Sequence, residues 1–162
     1  MVAKEMGGAR AALHAGRAII VQAAAGGVGL QAVEHASWLG AVSVGTAGRP
    51  HKHDQLRDRG VSALGSSRDG IAFAAGANRQ LGACRARMIY NSLSLDFITA
   101  SFASLTEGGN FEEIGKCAIW ALDRHCASST TTSYCAIALD ADMALDPKWM
   151  GGVMTLLAAR AG

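Results

Sequence analysis

The sequence predicts an α/β protein: a doubly wound parallel sheet with helices on both faces. Three observations carry that prediction. Short apolar runs of strand length alternate with segments of helical periodicity along most of the chain. The spacing puts a crossover helix after each early strand, which is how parallel strands are joined. The first strand, Ala18-Ile19-Ile20-Val21, runs into the turn Ala24-x-Gly26-x-x-Gly29, which opens a helix. That is the glycine fingerprint of a Rossmann fold with alanine in its first place, in the expected context of strand, turn and helix.

The first helix follows from Val28, Ala32, Val33, Ala36 and Leu39, which recur at helical spacing before Gly40 stops them. In the turn, Gly26 lets an anion approach the backbone and Gly29 lets helix and strand pack closely. The helix N-terminus offers free N–H groups and the positive end of its dipole. Ala25, Gly26, Gly27, Val28 and Gly29 are therefore candidate contacts to a dinucleotide pyrophosphate.

Residues 41–45 read as a second strand and 52–59 as a second helix, with Leu56 its main apolar contact and Gly60 its stop. Val61 to Leu64 is a third strand, Ile71 to Leu81 an alanine-rich helix weakened by Gly76, and Ala86 to Tyr90 a fourth strand. Ser94 to Leu105 forms a helix: Ser94 can cap it, Asp96 suits its first turn, and Ile98, Phe102 and Leu105 share a face. Gly108-Gly109 leads into a fifth strand, Asn110 to Gly115. Lys116 to Thr132 is polar and aperiodic and predicts a long loop with at most one helical turn. Tyr134 to Leu139 is a sixth strand. Asp146-Pro147 caps and starts a last helix with Met150, Val153, Met154, Leu157 and Ala158 on one face. The central strands should be those starting near Ala18 and Arg87. Residues 1–15 read as a lead-in helix or fragment, and 16–162 as one domain without internal repeat or linker.

Composition sets bounds on function. With 50% hydrophobic and 17% charged residues, the chain can bury a core and is not disordered in type. A net charge of +2 predicts neither nucleic-acid nor membrane partners. No apolar run approaches the ~20 residues of a membrane span, and the N-terminal residues lack the apolar core of a secretory signal, so a cytoplasmic location is expected. Cys84, Cys117, Cys126 and Cys135 lack the close pairing of a structural zinc site and read as free thiols. His51 and His53 lie among Arg49, Lys52 and Arg57, which oppose a cation; they read as solvated surface, and no metal is expected.

The choice of dinucleotide turns on the tip of the second strand. An NAD site places an acid there, about 20 residues past the glycines, to accept from the ribose 2′-hydroxyl. This chain has Thr46-Ala47-Gly48-Arg49-Pro50-His51-Lys52, and its next carboxylate is Asp54. Arg49 or Lys52 suits a 2′-phosphate through charge-assisted hydrogen bonds, so NADPH is expected over NADH, with Thr46 at the same tip. The competing reading is a basic first turn of a surface helix, which the helix dipole disfavours.

Four blocks in order match more than a general fold: residues 23–30, 45–52, 91–98 (Asn91-Ser92-Leu93-Ser94-Leu95-Asp96-Phe97-Ile98) and 108–116 (Gly108-Gly109-Asn110-Phe111-Glu112-Glu113-Ile114-Gly115-Lys116). Together they resemble the enoyl-reductase domains of modular polyketide synthases and animal-type fatty acid synthases, within the medium-chain dehydrogenase/reductase superfamily. The resemblance runs from about Gly16 to Ala161. It implies NADPH-dependent, metal-free reduction of the α,β double bond of an enoyl thioester held on an acyl carrier protein. It implies that Lys52 meets the 2′-phosphate, that Asn91 and Ser92 line the cofactor cleft beside Gly115, and that Lys116 is the proton donor with Asp140 in support. In polyketide synthases that acid usually sits two places earlier, where this chain has Ala138. Read from the residues alone, Lys116 is a solvated strand-end lysine and Asp140 a turn acid.

Such reductases carry a substrate-binding half mostly before the cofactor domain, whereas here the glycine turn begins at Ala24. The expected chain is thus a cofactor half, inactive alone, whose partners are that other half, neighbouring synthase domains or a second copy in a homo-oligomer. Near Gly82 to Arg87 the family has a glycine-rich turn and an Asp, and this chain departs from it. A quinone-reductase-like enzyme of the same superfamily and a non-catalytic nucleotide-binding module are the competing functional readings.

Overall fold

The computed structural model describes residues 13–94, 96–116, 120–129 and 131–161. Residues 1–12 of the lead-in assigned to 1–15, and Cys117, lie outside them. A six-stranded sheet has the order β3-β2-β1-β4-β5-β6, with every pairing parallel. Its strands are β1 (Ala18–Val21), β2 (Val42–Ala47), β3 (Ala63–Ser66), β4 (Ala86–Asn91), β5 (Leu105–Glu113) and β6 (Ser133–Ala136). The helices are α1 (Gly27–Trp38), α2 (Pro50–Asp58), α3 (Gly70–Leu81), α4 (Asp96–Ser104), α5 (Leu122–Ser128), α6 (Leu139–Leu145) and α7 (Pro147–Ala161). The strand order reverses between β1 and β4, the two central strands that the sequence predicts.

Alternation along β1 divides the core. Ile19 and Val21 pack with Val33 and Ala36 of α1 and Leu56 of α2, while Ile20 packs with Val44, with Phe73 and Ala77 of α3, and with Ile98 of α4. Helices α1 and α2 thus pack on one face, and α3 and α4 on the other. Ile20 and Leu56 are fully buried, which stabilises the fold by about 1.5–3 kcal/mol apiece relative to exposure.

Several boundaries differ from the sequence reading. Strand β2 runs on to Ala47 and β3 to Ser66, because Gly45, Thr46 and Ala47 pair with Leu64, Gly65 and Ser66; ladder bonds extend strands past their apolar runs. Helix α3 starts one residue before Ile71, capped by Asp69, whose carboxylate accepts from the Ile71 and Ala72 N–H groups. Strand β5 begins at Leu105, where α4 ends, and its register to β4 shifts between Ala86 and Met88, with Gly108 at φ +66°.

The expected loop from Lys116 to Thr132 contains the two-turn helix α5, and β6 ends at Ala136 with α6 taking over Leu139. The loop expectation fails because this segment is organised by rings and not by a helical stripe. Phe102 stacks on Phe111 at 4.3 Å and on Trp120 at 5.1 Å, and Tyr134 donates to the Trp120 carbonyl. His125, from α5, is 4% exposed, lies 5.0 Å from Tyr134, and meets Thr132 Oγ1 through Nε2. Helix α7 begins as expected, with Asp146 Oδ1 accepting from the Trp149 N–H. It packs against α6 and leaves Met154 and Leu156 exposed.

Candidate functional site

The carboxyl ends of the strands converge on the reversal point between β1 and β4, where open sheets of this kind place ligands. The β1–α1 turn is braced from three sides. Thr46 donates its hydroxyl proton to Gln22 Oε1 at 2.8 Å and accepts from the Ala23 N–H at 2.9 Å; Gln22 Nε2 donates to Ser101 Oγ at 3.0 Å. This network holds Ala23 at φ +49°, a left-handed conformation unusual for alanine. Thr46, expected as a cofactor contact, is fully buried and its hydroxyl is spent on the turn.

The turn's glycines serve different ends. A Cβ on Gly29 would lie 2.6 Å from Ala24 Cα and 2.7 Å from the Ala23 and Ala24 carbonyl oxygens, so close packing of α1 on β1 requires glycine there. Gly26 has an ordinary backbone, φ −87° and ψ 167°, and its Cβ would meet only the Ala23 oxygen, at 3.3 Å. Gly27 faces open space. The fold itself does not demand glycine at 26 or 27, whereas a pyrophosphate laid against the backbone would. No side chain caps α1 and no acid occupies its first turn, so its N–H groups and dipole are free for an anion. A pyrophosphate fits this cradle.

At the β2 tip, Arg49 is the N-cap residue of α2 and Lys52 is half-buried one turn on, with no acid in the helix's first turn. Asp54, the nearest carboxylate along the chain, is taken by Arg57 at 2.7 Å. His53 is half-buried and its Nε2 lies 2.9 Å from the Ala47 carbonyl oxygen, so it closes the strand end instead of standing free in solvent as expected. The sequence reading missed Arg68. Its side chain crosses Gly48, where a Cβ would come within 2.7 Å of Arg68 Nε, so a third cation borders this tip. Its signal was the parallel neighbour relation of β2 and β3, invisible until the strands are paired.

At the other end of the cleft, Asn91 and Glu113 are register partners at the ends of β4 and β5, both essentially buried. Asn91 Nδ2 donates to Glu113 Oε2 at 2.7 Å and to the Leu93 carbonyl at 2.6 Å; the Gly115 N–H donates to Glu113 Oε1 at 2.6 Å. Asn91 Oδ1 is buried without a hydrogen-bond partner. Burial pushes the Glu113 carboxyl above its ordinary value, against the hydrogen bonds from Asn91 and Gly115, which pull it down. Ser92 donates its hydroxyl to the Gln22 carbonyl at 3.2 Å, joining β4's end to the glycine turn.

Lys116 and Asp140 meet although 24 positions separate them: Nζ lies 3.1 Å from Oδ2, with side chains 77% and 71% exposed. The hydrogen bond from Lys116 holds the Asp140 carboxyl below its ordinary range, helped by the backbone at the start of α6. Ala138 is the N-cap residue of α6 and Asp140 lies in its first turn. The two places at which the family resemblance puts the acid thus belong to one helix start. So exposed a pair adds little to stability. Among the described residues, no three His, Cys, Asp or Glu gather as a metal site. A cleft of about 500 Å³, lined by Arg85, Phe102, Glu107, Trp120 and Thr132 among others, lies at the opposite end of β4 and β5.

No family model matches the chain. Among characterised proteins, it is 42% identical over 108 residues to the spectinabilin polyketide synthase system protein NorB of Streptomyces orinoci, covering 65% of this chain and 5% of that one. It is 38% identical over 109 residues to the hybrid PKS-NRPS synthetase pyvA of Aspergillus violaceofuscus, covering 65% of this chain and 3% of that protein. The chain thus spans a small fraction of the synthases it matches. Among solved structures, the CurK enoyl reductase superposes with a TM-score of 0.84 at 31% identity, covering 91% of this chain and 44% of that one. The nucleotide-binding subdomain of the enoylreductase domain of PpsC from Mycobacterium tuberculosis gives 0.81 at 27% identity, covering 91% and 83%. A quinone oxidoreductase of Pseudomonas syringae, at 22% identity and a TM-score of 0.66, shares the fold alone. By sequence the chain resembles polyketide synthases and by fold their enoyl-reductase domains, and the match is to the nucleotide-binding half of those domains.

Proposed function

We propose that the chain is the NADPH-binding half of an enoyl reductase that acts on α,β-unsaturated acyl thioesters carried by an acyl carrier protein. The observation that carries this reading is the Lys116–Asp140 pair, 3.1 Å apart just beyond the end of β5, the end of the sheet at which the phosphate cradle lies. Bound NADPH would supply a hydride to the substrate's β-carbon. Reduction then leaves negative charge at the thioester oxygen and requires a proton at the α-carbon. The Lys116 ammonium answers both needs, and Asp140 holds it in place. Gly26 to Gly29 would seat the pyrophosphate; Arg49, Lys52 and Arg68 would surround the 2′-phosphate, where no carboxylate competes. Asn91 and Ser92 would border the nicotinamide side.

The reading predicts fluorescence titrations in which this chain binds NADPH more tightly than NADH, and no turnover of crotonyl thioesters until a substrate-binding half is supplied, because half the cleft is needed for proximity. Equal affinity for the two cofactors would remove the 2′-phosphate assignment. Reduction of quinones but not of enoyl thioesters by the completed domain would favour the quinone-reductase alternative, and failure to bind either cofactor the non-catalytic one.

A further inference from the structure

We propose that Glu113 is a positioning residue that clamps the two loops at the nicotinamide end of the cleft, and so sets the backbone from which Lys116 projects; this rests on the cofactor reading above. The carboxyl is 1% exposed and spends one oxygen on each loop. Oε2 takes the Asn91 amide at the end of β4, which itself reaches on to Leu93; Oε1 takes the N–H of Gly115, the residue before Lys116. The backbone closes the same ring, since the Ile114 N–H donates to the Asn91 carbonyl at 2.9 Å and the Ile137 N–H to the Glu113 carbonyl at 2.7 Å. Glu113 thereby joins the ends of β4, β5 and β6.

Gly115 takes its meaning from this clamp. Its φ is not left-handed, yet a Cβ there would lie 2.7 Å from Glu113 Oε1. Glycine at 115 is what lets a carboxyl two residues earlier reach the peptide N–H. A buried carboxyl is costly to keep, and an apolar side chain at 113 would fill the same space without tying Gly115 to Asn91. The presence of a carboxyl at 113 is explained by the two loops it fixes. In a doubly wound fold the first βαβ half takes the adenosine end and the second half the nicotinamide end, so the clamp acts on one end of the ligand only.

The test uses the 162-residue chain, Glu113→Gln and Gly115→Ala, with two probes. Glutamine keeps one acceptor but turns an amide toward the Asn91 amide; alanine at 115 keeps the acid and pushes it off the loop. Both variants should bind NADPH about tenfold more weakly, the scale of one hydrogen bond to a charged group. Both should bind adenosine 2′,5′-bisphosphate as the parent does. In amide NMR spectra, the Lys116 resonance should move in Glu113→Gln, while resonances of the glycine turn stay in place in both variants. Equal weakening of both probes, unchanged NADPH affinity or an unmoved Lys116 resonance in Glu113→Gln would overturn the clamp. If the parent chain binds neither probe, the cofactor reading fails instead, and the Lys116 resonance still decides whether Glu113 fixes that loop.

Discussion

Replacing Gly29 and Gly26 by alanine, one at a time, separates what the fold requires of the turn from what a ligand requires. At Gly29 the new methyl carbon would sit 2.6 Å from Ala24 Cα and 2.7 Å from two carbonyl oxygens, all backbone atoms with no rotamer to give way. Helix α1 must lift from β1, and overpacking of this kind costs about 1–3 kcal/mol. Three backbone contacts put the cost in the upper part of that range, about 2–3 kcal/mol; alanine's helix propensity returns up to about 1 kcal/mol, leaving a net loss of at least about 1–2 kcal/mol, or about 2–8 °C in Tm for a domain of this size. At Gly26 the backbone angles suit any residue and the one close contact is 3.3 Å, so Gly26→Ala should leave Tm within about 2 °C of the parent. It should nonetheless weaken NADPH by at least about tenfold, because a methyl group stands where the pyrophosphate meets the backbone. Urea or thermal unfolding gives the stabilities and cofactor fluorescence the affinities. A Gly29→Ala protein as stable as the parent, or a Gly26→Ala protein that binds NADPH as well as the parent, would refute the division of roles.

Three further outcomes are expected. Lys52→Ala should weaken NADPH by about 1–3 kcal/mol and leave NADH nearly unchanged, as measured by parallel titrations; Arg68→Ala should do the same in kind if the third cation also faces the 2′-phosphate. The Glu113 carboxyl, raised by burial, binds its proton more tightly in the folded chain than in the unfolded one. Its contribution to stability is therefore full below the ordinary carboxylate value and is lost as pH rises through the raised folded value. Urea midpoints measured between about pH 4 and pH 8 should show a decline that Glu113→Gln removes. In a domain completed by its substrate half, Lys116→Ala should slow enoyl reduction by about 100-fold or more while NADPH affinity holds, since a proton donor acts on the transition state and not on the bound cofactor. Full activity in that variant would place the proton source elsewhere.

How much of this was legible before folding depended on whether a residue's role is written in its neighbours along the chain. The glycine turn, the central strands and Leu56 were legible because strand length, helical spacing and glycine position are local signals. Asp69 was legible in principle, as an acid just ahead of an apolar helix, though the reading began the helix at Ile71. Lys116 and Asp140 were named through the family blocks, since nothing along the chain joins positions so far apart. Arg68, His125 and Glu113 escaped for one physical reason. Each draws its environment from an element distant along the chain: Arg68 from the tip of β2, His125 from rings on α4 and β6, Glu113 from Asn91 of β4. His125 and Glu113 look like surface residues until pairing buries them, and Arg68 stays exposed but gains its neighbour only when β2 and β3 pair.

The buried and exposed carboxyls of this edge also divide the work in a way that charge alone would not suggest. Asp140 stands in solvent and keeps its partner by a single contact to Lys116, an arrangement that water can loosen when a substrate arrives. Glu113 is sealed and makes contacts to two loops that water cannot replace. A proton donor must keep enough freedom to reach its substrate and then be reprotonated, which an exposed pair allows. The frame that aims it must not move on that timescale, which a buried, doubly bonded group ensures. Freedom of the ammonium and rigidity of the peptide that carries it are compatible because they depend on different acids: Glu113, three residues before Lys116, fixes the main chain behind it, and Asp140, at the start of α6, holds the ammonium by one exposed contact.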